Sequence, residues 1–253
     1  MTTTLRYLNF SGFEIVHDGY RIVVDPFLAG SDAYGIPPSP VPLEALDATQ
    51  LVLVSHGAFD HVGQTVDIVR RSGAKLVCST DVRVHAQEQG VPDDQIVYVL
   101  SGVTVDFGPA TVKALDVRHV SLFKSGDHWL SGQPLCFMIK LRGGPTIFHS
   151  GDTSLFSDLK LYGELHRPDV ALLCVGGVQG KGYEVTPLPP DEAALALEWL
   201  GASLAIPMHY TPASRTAGQF AEAVQARGLN ARVHIMKPGE TIELEPKPGS
   251  KVP

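Results

Sequence analysis

The apolar run Leu51-Val52-Leu53-Val54 stops abruptly at Ser55-His56-Gly57-Ala58-Phe59-Asp60-His61, and that junction limits the folds open to the chain. Four consecutive apolar residues bounded by polar ones fit a short strand buried on both faces, the kind found in a sheet covered by helices. Such a strand delivers whatever follows it to the edge of the sheet. Here it delivers two imidazoles and a carboxylate, the groups that hold divalent transition metals.

The same junction recurs along the chain. Asp25 follows the burst Tyr20 to Val24, His119 follows another strand burst, His149 to Asp152 follow Thr146-Ile147-Phe148, and His209 closes Ala205-Ile206-Pro207-Met208. In stacked sheets the strand ends gather at one edge, so residues distant in sequence converge there. Any single one of the ten histidines is ordinarily a surface or core residue. Asp152 alone would read as the N-cap of a following helix, and His209 alone as a packed core histidine. Five polar clusters at strand ends point instead to one site.

Short alternating bursts over the first fifty residues, with His17-Asp18-Gly19 between two of them, follow the pattern of hairpins. The Gly- and Pro-rich segment from Ala29 to Pro42 is long enough to form a wall or lid of a site. The pattern predicts a helix from Gly63 to near Gly73, with Asp60 and His61 close to its N-terminus, and others over 81–89, 154–166, 190–200 and 214–228. Buried strands are expected at 75–78, 170–175, 203–206 and 231–235, with strand bursts between Ile96 and Phe148. Strand blocks separated by helix–strand units suggest two sheets packed face to face with helices outside, in one domain over 1–253. No strand leads into a Gly-x-Gly-x-x-Gly or Gly-x-x-x-x-Gly-Lys-Ser/Thr turn, which disfavours a nucleotide-binding doubly wound fold.

Composition excludes several classes. The formal net charge is −7, and no Lys/Arg cluster interleaved with aromatics appears, so general nucleic-acid binding is disfavoured. No stretch approaches the roughly 18 apolar residues of a membrane span, and Met1-Thr2-Thr3-Thr4 lacks the basic start of a leader, so a cytoplasmic protein without a membrane partner is expected. Cys78, Cys136 and Cys174 are odd in number, far apart and set in apolar runs, the pattern of buried thiols rather than of a disulfide framework.

Taken in order, Arg21 to Leu28, Ser55 to Gly63, His119, Phe148 to Thr153, Pro168 to Leu173 and Pro207 to Tyr210 resemble the metallo-β-lactamase superfamily, and within it the branch similar to ascorbate-6-phosphate lactonase. The resemblance implies an α/β fold: a four-layer αββα sandwich of two mixed β-sheets with helices outside and a metal site at one edge. Carried over by motif, His56, the residue at 58 and His119 would hold a first metal. Asp60, His61 and His209 would hold a second, with Asp152 bridging. Asp25 matches a carboxylate that supports a ligand by hydrogen bonding, and His149 matches a histidine that precedes Gly-Asp-Thr in this branch. Two positions depart from the pattern: Ala58 replaces the second histidine of His-x-His-x-Asp-His, and Phe10 stands where the branch has a histidine in Gly-His-Ser.

With Ala58 the first position keeps His56, His119 and the shared Asp152, whereas the second is complete. The expectation is one tightly held divalent ion, Zn or Mn, out of a family complement of one or two per chain. Such an ion brings the pKa of bound water from ~15.7 toward ~7 for attack on a small cyclic ester or lactone, amide or phosphoester. Asp60 or Asp152 would take a proton, and His56 or His119 would act as acid or base. Arg118, Lys124, His128, Lys181 and Arg215 flank the edge where an anionic group would bind, and Phe123 and Trp129 in the loop after His119 are candidate apolar lining. Homo-oligomerisation is compatible with the branch. Competing readings are a catalytically silent ligand-binding relative, and a phosphodiesterase or nuclease on the same fold.

Overall fold

A computed structural model describes residues 1–179 and 184–245. The chain opens with β1 (Thr3–Asn9), β2 (Gly12–His17) and β3 (Tyr20–Val24), each antiparallel to the next. Asp18 and Gly19 join β2 to β3 with φ of 47° and 86°, the left-handed pair that a two-residue hairpin of matching twist requires. From β3 onward pairing turns parallel, through β4 (Leu51–Leu53), β5 (Lys75–Cys78) and β6 (Ile96–Tyr98). Helices α1 (Phe59–Val62), α2 (Thr65–Ser72) and α3 (Thr80–Glu88) fill the crossovers.

The second sheet repeats this plan. Strands β7 (Thr104–Asp106) and β8 (Ala110–Asp116) come first, a separate hairpin of β9 (Ser121–Ser125) and β10 (His128–Gly132) projects between, and β11 (Leu135–Leu141) and β12 (Thr146–His149) complete the antiparallel half. Pairing becomes parallel at β12, continuing to β13 (Val170–Cys174). A short ribbon of β14 (Val178–Gln179) and β15 (Glu184–Val185) intervenes before β16 (Leu204–Met208) and β17 (Arg232–Val233). The covering helices are α4 (Asp158–His166), α5 (Pro190–Leu200) and α6 (Thr216–Ala226). Strand β18 (Thr241–Leu244) returns to pair with β1.

The run Leu51 to Val54 explains itself in this architecture. Leu51 and Leu53 enter the core between the sheets, with Phe13, Ile22, Phe137 and Ile147. Val52 and Val54 turn to the opposite face, against Ile68 and Val69 of α2 and Val82 and Ala86 of α3. A strand apolar on both faces is what a sheet between a second sheet and a helical layer demands. The αββα sandwich is therefore present as expected.

Several boundaries differ from the pattern-based expectation. The helix expected from Gly63 begins at Thr65, and Gly63, with φ 41° and no room for a β-carbon against the Pro26 carbonyl, separates it from the single turn that holds Asp60 and His61. The helix expected from 154 starts at Asp158, which leaves Asp152 upstream of it and removes the N-cap role. The segment after His119 is the β9–β10 hairpin rather than a loop, and within 231–235 only Arg232–Val233 pairs as strand. Cys78, Cys136 and Cys174 are free and buried. No helix among the described residues is long and apolar enough to cross a membrane. Lys181 lies outside the described residues.

Candidate metal centre

Parallel pairing of β3 with β4, of β12 with β13 and of β13 with β16 places the C-terminal ends of these strands at a common edge. Asp25, Ser55–His56, Ser150–Asp152 and His209 are the residues that follow. Asp25 and His209 turn there with φ of 44° and 63°, a left-handed conformation that non-glycine residues adopt at a cost of roughly 1–3 kcal/mol each. Such turns bring the side chains back over the sheet edge.

His61 occupies the middle of the cluster. Its Nδ1 lies 2.8 Å from Asp25 Oδ2, and Asp25 also accepts the N–H and the Oγ–H of Ser55, each at 2.7 Å. With Nδ1 so held, His61 Nε2 faces Asp152 Oδ1 at 3.4 Å and Asp60 Oδ2 at 3.9 Å. His209 donates from Nδ1 to the Gly176 carbonyl at 3.0 Å, leaving Nε2 3.0 Å from Asp152 Oδ2 and 3.4 Å from Asp60 Oδ2. His119 Nε2 stands 3.7 Å from Asp152 Oδ2, and the His56 ring centroid lies 4.1 Å from that of His61.

Three buried atoms here lack a hydrogen bond of acceptable geometry: His56 Nε2, Asp152 Oδ1 and His209 Nε2. Unsatisfied buried polar atoms are rare and costly, and several in one cluster need an explanation. A divalent ion supplies one, because imidazole nitrogens and carboxylate oxygens are its donors. Two overlapping sets have donor atoms within 4.8 Å of one another, His56 with His61 and Asp152, and Asp60 with His61 and His209. His61 belongs to both. Position 58 contributes nothing, since Ala58 serves only as the half-buried N-cap of α1.

Among the protein groups alone, burial pushes the His61 imidazole down, but Asp152, Asp25 and Asp60 outweigh it and hold its pKa at about 10. His209 is likewise raised, as Asp152 and Asp60 overcome its burial. His56 goes the opposite way: burial, reinforced by the charge on His61, takes it to about 3. For Asp152 burial works against the carboxylate, yet His209 and His61 keep it well below the usual range. The centre therefore alternates cationic and anionic groups around a neutral His56.

Other expected residues fall into different places. His149 is spent internally: Gly151 N–H donates to Nδ1 at 3.1 Å, so Nε2 donates to the Ser11 carbonyl at 3.0 Å. Phe10 is buried with its ring centroid 4.3 Å from that of His209, and its carbonyl accepts the His209 N–H at 2.8 Å. His128 pairs with Glu88 at 3.0 Å on the surface, Arg118 turns toward the Phe156 ring, and Lys124 and Trp129 are exposed on the hairpin. Phe123 packs edge-on against His85. Arg215 lines a cavity of about 380 Å³ with Ala33, Tyr34, Gly177, Thr211 and Ser214. Of its lining, Tyr34 stacks on Phe59, the residue before Asp60, and Gly177 follows Gly176, whose carbonyl accepts the His209 Nδ1–H. Ser55, Ser11 and the Gly176 carbonyl support the centre without a sequence signal beyond their proximity to ligand positions.

Known proteins share this fold. A family model for the beta-lactamase superfamily domain matches residues 20–210. A UPF0173 metal-dependent hydrolase from Methanopyrus kandleri is 34% identical over 243 residues, covering 94% of this chain and 99% of that protein. Igni18, a metallo hydrolase from the archaeon Ignicoccus hospitalis, has a similar structure with a TM-score of 0.79 at 28% identity, over 98% of this chain and 100% of its own. An isothiocyanate hydrolase from Delia radicum gut bacteria shares the fold with a TM-score of 0.73 at 19% identity, over 94% of this chain and 98% of its own. From its two mixed sheets, its strand-end histidines and aspartates and these end-to-end matches, the chain belongs to the beta-lactamase superfamily, in the UPF0173 family of metal-dependent hydrolases.

Proposed function

We propose that this chain acts in the cytoplasm, as a single domain, as a hydrolase that depends on one tightly held divalent ion, Zn or Mn. The observation that carries this reading is the shared His61. Its Nδ1 is committed to Asp25, so Nε2 offers one lone pair, and both donor sets draw on it. Asp60, His61, Asp152 and His209 hold the tight ion. His56 and His119, beside Asp152, would form a weaker position that lacks a ligand at 58. The ion, when bound, supplies Lewis acidity and a water pKa lowered from ~15.7 toward ~7.

The protein groups have separate tasks. Asp60 and Asp152, kept ionised by His61 and His209, are placed to accept a proton. His119, the most exposed member of the cluster, is placed to return one to a leaving group. In the cavity lined by Tyr34 and Arg215, Arg215 and the hydroxyls of Thr211 and Ser214 suit an anionic or hydrogen-bonding group, and Tyr34 offers a flat apolar wall. A small anionic lactone, cyclic amide or phosphoester fits both walls. The test is a panel of lactone, amide and phosphodiester substrates with the Zn- or Mn-loaded chain, run beside Asp152→Ala. Hydrolysis of one class, lost together with the metal in the variant, is the expected result. A variant that keeps both metal and turnover, or a loaded chain inert on all three classes, sinks the reading.

A further inference from the structure

Asp81 is a buried carboxylate outside the ligand cluster, and among the described residues no cationic side chain pairs with it. Hydroxyls take its oxygens instead. Ser79 Oγ donates to Oδ1 at 2.6 Å, and Ser121 Oγ donates to Oδ2. Ser121 Oγ in turn accepts the N–H of Gly57 at 2.7 Å. The direction of this relay is fixed, because a peptide N–H only donates, so Ser121 receives it on a lone pair and directs its one proton to Asp81. Asp81 lies in the first turn of α3, where an acid often caps a helix, yet no side-chain cap bond is made there.

The packing around Asp81 follows the same plan. A β-carbon at Gly57 would strike both the Asp81 carboxylate and the Phe123 ring, and one at Gly132 would strike Asp81 again. Two bare Cα atoms thus make room for this carboxylate. Through Ser121, Phe123 and Gly132 the β9–β10 hairpin is seated on the turn that carries His56.

The tripeptide Ser55-His56-Gly57 is consequently braced at both ends by buried carboxylates. Asp25 takes the N–H and Oγ–H of Ser55, and Asp81 holds Gly57 through Ser121. Between the braces His56 Nδ1 lies 3.0 Å from Ser55 Oγ, and its Nε2 is buried without a partner. We propose that Asp81 is a positioning residue of the metal centre, which fixes the Gly57 peptide through Ser121 and so aims His56 Nε2 at the weaker metal position. This rests on the reading of His56 as a ligand.

The experiment is a Zn(II) titration of the full chain against a chelator, read at the second, weaker equivalent, comparing Asp81→Asn, Ser121→Ala, His56→Ala and the pairwise combinations with His56→Ala. His56→Ala is expected to weaken binding of the second equivalent at least tenfold while the tight ion stays in place, and Asp81→Asn and Ser121→Ala are expected to weaken it at least fivefold each. Neither should weaken it further in the His56→Ala background, a non-additivity that a general loss of stability would not produce. If His56→Ala costs tenfold while Asp81→Asn and Ser121→Ala stay within twofold of wild type, or if their losses add fully to that of His56→Ala, the role of Asp81 is overturned and the ligand reading stands. If His56→Ala changes nothing, the ligand reading fails and takes the proposal with it. Should Asp81→Asn not fold, Ser121→Ala decides, since it keeps the carboxylate and removes only the relay.

Discussion

Asp25 Oδ2 and His61 Nδ1 face each other at 2.8 Å with both side chains wholly buried, and this contact determines which nitrogen His61 presents to the centre. Partners of this kind orient a metal-binding imidazole, and their loss typically costs ~10–100-fold in metal affinity. Asp25→Asn keeps the shape but replaces a carboxylate that receives three donors with an amide. Zn(II) affinity measured by chelator competition should fall by about that factor. Unchanged affinity would mean that Asp25 serves the Ser55 turn alone.

Ion uptake should release protons. With a pKa of about 10, His61 carries its proton at pH 7.5 in the chelated chain, and His209 is raised as well, yet both must give up Nε2 to the ion. Calorimetry in two buffers of different ionisation enthalpy should report between one and two protons released per ion at that pH. No release would show that the imidazoles are already neutral.

The sign of the accompanying stability change follows from the same pair. His61 is raised above its unfolded value of ~6.5, so its contribution is fully present below pH ~6.5 and is lost as pH rises through about 10. His56, at about 3, contributes in the opposite sense, above pH ~6.5, and its part is lost as pH falls toward 3. Thermal melts of the chelated chain should therefore decline between pH 7 and 10, a slope that saturating Zn(II) flattens.

Ala58→His should restore the missing donor beside His56 and His119. Elemental analysis after dialysis is expected to rise from about one ion per chain to about two. A variant that still holds one would place the obstacle in the sharing of His61 rather than at position 58.

Phe10→Ala removes a buried ring that packs on His209. Large-to-small changes of this kind cost ~3–5 kcal/mol. Urea unfolding of the chelated chain should show a loss of that size, and Zn(II) retention should weaken because His209 loses its backing. Loss of stability without any change in metal affinity would limit Phe10 to the core.

Much of this was legible in the residues, and the reasons differ from place to place. Leu51 to His61 announced both a doubly buried strand and a ligand cluster because one short segment carries the apolar run and the chemistry together. Asp152 and His209 became legible only as a set, since each alone has an ordinary explanation. The separate turn of Asp60 and His61 before the helix was not legible, because the break at Gly63 comes from close approach to Pro26, a residue remote in sequence that no local pattern encodes. His149 looked like part of the site by its neighbours, but its two nitrogens are consumed by backbone groups that only the folded chain brings near. Asp81 gave no signal at all, as its relay to Gly57 passes through Ser121 on a different element.

Each large sheet switches from antiparallel to parallel pairing at one strand, β3 in the first and β12 in the second, and both switch strands lead into the centre. Asp25, His56, Asp60 and His61 follow strands of the first sheet, whereas His119, Asp152 and His209 follow strands of the second. An ion held by Asp60 and His61 from one sheet and by Asp152 and His209 from the other would work as a staple across the seam, beside the apolar packing, the returning strand β18 and hydrogen bonds such as that from the His209 N–H to the Phe10 carbonyl. Metal occupancy thus doubles as a gauge of whether the halves are in register. A slip of one sheet against the other would loosen the ion before it exposed the core.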